Sequence, residues 1–139
     1  MQRKGSRMNV NLVIDPNSEP VIDHENVVIT NLDNIPISSC QSLIINSVLN
    51  YLTNDQLQLI LTKVRHQGTI SISCVDAVLL TSAFYRNEID LPTLSSLVRG
   101  SNDLHTLVEL QTMFQNNGYM IESAGTTDNL SFYLKVKRP

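Results

Sequence analysis

Between Ser42 and Cys74 the chain reads as a strand, a helix and a second strand in quick succession, and that order restricts the folds open to it. Ser42 to Asn46 (SLIIN) is a short apolar β-type run. Thr53 and Gln56 stand at the spacing of a capping box, and Leu52 with Leu57 supply the flanking hydrophobic staple, so a helix should start at Thr53. Leu57, Ile60, Leu61 and Val64 then fall on one helical face as a continuous apolar stripe. Gly68 reads as a turn and Thr69 to Cys74 (TISISC) as the next strand. A strand–helix–strand unit crosses over right-handed between parallel strands, which points to an α/β fold.

The flanking segments extend that pattern. Asn9 to Ile14 (NVNLVI) is a β-type run ended by Asp15-Pro16-Asn17, strong turn chemistry. Val27-Val28-Ile29 is another, leading through Asn31-Leu32-Asp33 to a loop at Pro36. Runs that are apolar in succession predict strands covered on both faces, as in a parallel sheet. Asp76 to Tyr85 is apolar without a decided type. Leu91, Leu94, Leu97 and Val98 make a short amphipathic helix after Asp90, with Pro92 near its start. Asn102 can cap a helix from Asp103 to Asn117 whose stripe is Leu104, Leu107, Val108 and Phe114, closed by Gly118. Tyr119 to Ser123 is a strand and Ala124 to Asn129 a turn. From Leu130 to Lys137, apolar Phe132, Leu134 and Val136 alternate with polar neighbours, which indicates an antiparallel hairpin at a sheet edge.

A chain of 139 residues suits one domain, expected at residues 9–139, with residues 1–8 a disordered or expression-derived tail. The net charge of −3 argues against a broad nucleic-acid-binding face. Cys40 and Cys74 lack any metal-ligand spacing, and Cys74 sits in an apolar strand pattern, so a buried reduced thiol is expected there. No apolar run is long enough to span a membrane and no secretory signal is read, so cytoplasmic residence is expected. Neither a nucleophile elbow nor a phosphate-binding loop appears, and no metal is expected.

The order of these segments resembles the class I S-adenosylmethionine-dependent methyltransferases from about Val27 to Pro139. Asn31-Leu32-Asp33-Asn34-Ile35-Pro36 is similar to the family's D-L-x-x-L-P passage after its third strand. Ser42 to Leu52 (SLIINSVLNYL) is similar to the fourth strand and the V-L-E-H-L segment, and Gly68 to Ser73 to the fifth strand. Arg99-Gly100 and Asp103-Leu104-His105 resemble a G-G…D-x-H segment of one branch. Glu109 to Glu122, through Asn117-Gly118-Tyr119, resembles L…L-x-x-A-G-F ahead of the closing strand. The resemblance implies a shortened Rossmann-like methyltransferase fold, a mostly parallel sheet with a C-terminal antiparallel hairpin.

Three departures bear on activity. The family's glycine-rich G-x-G-x-G turn, where the backbone approaches the methionine end of the cofactor, has no counterpart: Gly5, Gly68, Gly100, Gly118 and Gly125 never stand within a GxG. Asn50 and Tyr51 replace the family's histidine and glutamate. Too few residues separate Asp15 from Val27 for another strand–helix crossover. The central strand of the family sheet cannot simply be missing, because unpaired backbone groups would be buried. Val10 to Ile14 must therefore fill the central slot or join further out, and a shortened, closed-up sheet is the expectation.

Five residues are candidates for cofactor binding, each with a plainer role beside it. Asp15 ends a β run, where related folds place a ribose-binding acid, but its Asp-Pro-Asn turn explains it equally well. The resemblance would set Asn31 and Asp33 near the adenine; otherwise they belong to the loop before Pro36. Asn46 would face the crevice beyond the strand ends, or satisfy loop backbone. Asp76 follows the fifth family strand and would face the same crevice, or cap a helix. His105, expected in the first turn of its helix, is a weaker candidate catalytic group. The expected function is a degenerate methyltransferase-like binding or structural module without cofactor, acting as a homodimer or with a protein partner. The alternative is a minimal active enzyme that binds S-adenosylmethionine, completed by a second chain.

Overall fold

A computed structural model describes residues 8–99, 101, 104–127 and 130–139. Among these, six strands form one sheet: β1 (Met8–Val13), β2 (Glu25–Val28), β3 (Cys40–Asn46), β4 (Val64–Val75), β5 (Met120–Thr126) and β6 (Ser131–Lys137). Their order is β2-β1-β3-β4-β6-β5, with β2, β1, β3 and β4 parallel and β6 antiparallel to both its neighbours. The helices are α1 (Asn54–Lys63), α2 (Ala77–Tyr85), α3 (Leu91–Val98) and α4 (Leu107–Asn116), with 3-10 helices at Ile29–Asn34 and Leu49–Tyr51. The mostly parallel sheet with its closing antiparallel hairpin is as expected. Most of the expected tail lies outside the described residues; Met8, assigned to that tail, instead opens β1 beside Cys40.

β1 is an inner strand, one in from the β2 edge of the sheet. β1 hydrogen-bonds β2 on one side and β3 on the other, Leu12 lying between Val27 and Ile45. The sheet has closed up around the first strand, and no backbone edge is left unpaired there.

One face of the sheet is the core. Val10, Leu43, Ile70 and Val136 lie side by side across four strands, followed by Leu12, Ile45, Ile72 and Leu134, all essentially inaccessible. Leu57, Ile60 and Leu61 of α1 and Leu110 and Phe114 of α4 close over this face in the same apolar cluster. Burying each such side chain stabilises by about 1.5–3 kcal/mol. The opposite face corrects the expectation of strands covered on both sides. It carries Asn9, Asn11, Asn26, Ser42, Thr69, Ser71 and Ser73; Asn11 and, two residues on, Val13 are buried, and the others only partly so. The strands alternate after all, because one face meets helices and the other does not need to be apolar.

Local signals account for the helices. The Thr53–Gln56 capping box is present in both directions, at 3.2 and 2.9 Å. α1 passes straight into β4, which runs through Gly68 rather than turning there. A Cβ on Gly68 would stand 2.6 Å from the Cys40 carbonyl oxygen and 2.9 Å from that of Arg65, so this bulged crossing of β3 and β4 admits only glycine. The undecided segment after β4 is helix, capped by Asp76. α4 corrects the sequence reading: it starts at Leu107, with Thr106 and Glu109 as its capping box, while Asn102 and Asp103 lie outside the described residues. Its buried residues are Leu110 and Phe114, whereas Val108 is 70% exposed. Gly118 takes φ +85° after the helix, and the Tyr119 N–H returns to the Phe114 carbonyl, the expected glycine C-terminal cap.

Candidate functional site

β2 lies on one side of β1 and β3 on the other, so the chain reverses its direction of winding at β1. In open α/β sheets, ligands bind in the crevice beyond the strand C-termini at such a reversal. A cleft of about 310 Å³ occupies that place here. Asp15 and Asn46, from the ends of β1 and β3, both line it, joined by Asn11, Ser18, Glu19 and Ser47. The structure thus brings together two of the five candidates.

The cleft is roofed by an irregular segment, residues 14–24, in place of a crossover helix. Its first turn is held by Asp15, whose Oδ1 accepts the Asn17 N–H at 2.9 Å, while the Ser18 N–H reaches the Asp15 carbonyl at 3.0 Å. Further along, a His24 ring nitrogen meets Ser42 Oγ at 2.9 Å, pinning the segment to the polar face of the sheet. Ser47, at the exit of β3, is held at φ +60° by a 2.7 Å bond from its N–H to the Ser73 carbonyl. Among the described residues no Lys, Arg or His lines the cleft, and the ionisable groups that do, Asp15 and Glu19, are exposed carboxylates.

The other candidates lie apart. Asn31 and Asp33 are exposed on the 3-10 helix after β2 and do not line the cleft. Asp76 is only 4% exposed and is fully engaged in the fold. Its Oδ1 accepts the Val78 and Leu79 N–H groups at 2.8 and 3.1 Å, and its Oδ2 accepts the Leu107 N–H at 3.1 Å. One carboxylate therefore caps α2 and ties it to the first residue of α4. His105 precedes α4 instead of standing in its first turn, with Nδ1 3.4 Å from Glu109. Burial pushes the thiols of Cys40 and Cys74 up from their ordinary range, and neither is part of the cleft. Among the described residues no group of three or more His, Cys, Asp or Glu is placed to hold a metal, and no helix is long and apolar enough to cross a membrane.

Sequence reasoning missed Asn11, Ser18, Glu19 and Ser47. Asn11 had a usable signal: an amide between Val10 and Leu12 of a strand, where a buried polar group calls for an explanation. The others depend on the path of the loop, which local patterning does not set.

No family model matches the chain, and no curated protein matches it by sequence. Solved structures do. The complex between the Haloferax volcanii Trm112 methyltransferase activator and a methyltransferase superposes with a TM-score of 0.63 at 11% identity, over 98% of this chain and 84% of that one. An S-adenosylmethionine-dependent methyltransferase from Mesorhizobium loti gives 0.63 at 11% identity, over 99% and 94%. A SAM-dependent methyltransferase from Archaeoglobus fulgidus gives 0.58 at 11%, over 97% and 87%. The fold is that of the class I S-adenosylmethionine-dependent methyltransferases. In this sheet β1 stands between β2 and β3, and the turn that follows it is Ile14-Asp15-Pro16-Asn17.

Proposed function

We propose that this chain is a methyltransferase-fold domain that does not use S-adenosylmethionine and serves as a binding module. The observation that carries this reading is the connection leaving β1. It contains no glycine and no helix, and Pro16 offers no N–H at the turn. The methionine end of the cofactor bears a carboxylate, which needs donors or a cation. Among the described lining residues the cleft offers that carboxylate no cation, and Asp15 and Glu19 repel it, although they could face the cofactor's ammonium and sulfonium. The misfit to the cofactor therefore rests on the glycine-free turn and not on charge.

A protein partner or a second copy of the chain belongs to the same reading. It is supported by the fold neighbour solved in complex with the Trm112 activator. One feature favours the alternative of a minimal active enzyme: Asp15 and Asn46 share a cleft at the winding reversal, where a cofactor of this fold would lie.

Titration calorimetry with S-adenosylmethionine and S-adenosylhomocysteine, after the mass in solution is measured, separates the two. The module predicts no heat up to about 1 mM ligand, a binding free energy weaker than about −4 kcal/mol. Binding near micromolar would refute it, and Asp15→Ala and Asn46→Ala would then locate the site.

A further inference from the structure

At the opposite end of the strands from the cleft, Arg138 follows β6 and its backbone closes onto β4. Its N–H reaches the Gly68 carbonyl at 2.9 Å, and its own carbonyl accepts the Gln67 N–H at 2.6 Å. The side chain reaches the end of α1, where Nη1 donates to the Val64 carbonyl at 2.6 Å and to Ser38 Oγ at 3.3 Å. A cavity of about 440 Å³ opens here, lined by Arg138 and Ser38 but by neither Gln67 nor Gly68, so Arg138 meets it with its side chain. Tyr119 lines the same cavity, and the Arg138 charge offsets part of the rise that burial imposes on its phenol. The guanidinium is thus bracketed by two lining residues, and Arg138 is only half-buried.

Among the described residues Arg138 makes no ion pair, and its Nε and Nη2 have no hydrogen-bond partner. Holding the carbonyl at the end of α1 accounts for Nη1 alone. The unused edge is Nε with Nη2, whose parallel N–H groups match the two oxygens of a carboxylate or phosphate. Ser38 Oγ accepts from Nη1, so its own proton is left to donate. Lys63, at the end of α1, is 4% exposed and has its Nζ on the Ile35 carbonyl at 2.7 Å, again without a carboxylate. This end of the sheet therefore carries positive charge that no described acid neutralises.

We propose that this cavity binds a small monocarboxylate, its two oxygens on the Nε–Nη2 edge of Arg138 and its apolar part against Ile37 and Leu61. A single negative charge is favoured over a phosphate dianion because α1 and α4 both end beside the cavity, at Lys63 and Asn116, and helix C-termini carry partial negative charge. The volume suits a small molecule. The cavity shares no lining residue with the cleft between β1 and β3, so the proposal stands whatever occupies that cleft.

The probes are benzoate, its neutral isostere benzamide and phenyl phosphate, titrated separately into the 15N-labelled full chain at low salt. The expected result is saturable shifts at Ser38, Thr62 and Arg138, with benzoate bound about tenfold tighter than benzamide. Arg138→Lys keeps the charge but not the two-pronged edge and should remove most of that preference; Arg138→Met should remove all of it. If either variant fails to fold, the comparison of benzoate with benzamide on the unaltered chain still decides. Equal affinity for those two probes, no saturation, shifts away from the cavity, or a full preference retained by Arg138→Lys would overturn the proposal. Phenyl phosphate bound at least about tenfold tighter than benzoate would also overturn it, since a phosphate would then be the occupant. So would a blocked glutamate-containing peptide with the same advantage, since a protein's carboxylate would then fill the site.

Discussion

Asp76 offers the sharpest test of how the C-terminal half is held together. Its carboxylate accepts three backbone N–H groups, two from α2 and one from the start of α4, in a buried position. Replacing an N-cap acid by Ala costs about 1 kcal/mol, within a range of 0.5–2. Losing the part-buried bond from the Leu107 N–H to a charged acceptor adds about 1.5–3 kcal/mol. The Thr106–Glu109 capping box survives in Asp76→Ala, so α4 itself should persist. The sum is about 3 kcal/mol, which for a chain of this size lowers Tm by roughly 9–15 °C. Asp76→Asn separates the two contributions. Its Oδ1 can still cap α2, but its Nδ2 would face the Leu107 N–H, donor against donor, so it should lose about 1–2 kcal/mol. Urea titration followed by circular dichroism measures both, provided the slope is unchanged. If Asp76→Asn matched the wild type, the bond to α4 would carry no weight. If Asp76→Ala cost less than about 0.5 kcal/mol, the buried carboxylate would not be structural, and a ligand role for Asp76 would regain its appeal.

Two further outcomes follow from the packing and the ionisable groups. Gly68→Ala drives a Cβ into the Cys40 and Arg65 carbonyl oxygens, which cannot swing away as a side-chain tip can; a loss of about 1–3 kcal/mol in the same urea assay is expected, and a neutral result would contradict the tight crossing of β3 and β4. Burial raises the Cys40 and Cys74 thiols and the Tyr119 phenol, so the folded chain holds protons that the unfolded chain releases. Stability should therefore be complete below the ordinary thiol range, about pH 8.5, and fall as pH rises through it toward the raised values of the folded state, with both thiols slow to react with a disulfide reagent until the protein unfolds.

The α/β class, the capped helix after Thr53, the strand around Ile70 and the closing hairpin were all readable from the sequence. Each rests on signals confined to a few neighbouring residues: a capping box, a helical stripe, strict alternation over Phe132, Leu134 and Val136. The start of α4 was misplaced although Thr106 and Glu109 stand at capping-box spacing; that box, with the Leu107 N–H held by Asp76, sets the start in the structure. The partner strands of β1 were not readable. NVNLVI has no preference between the centre and the edge of a sheet; its place is decided by Val10 and Leu12 meeting Leu43 and Ile45, residues far along the chain. The candidate site follows the same division. Asp15 and Asn46 could be named as the ends of two strands, but their shared cleft exists because β1 and β3 pair directly. Local sequence determined the elements, since their caps and periodicities are short-range; the tertiary structure alone decided the strand order and the cleft, since both depend on pairings between distant residues.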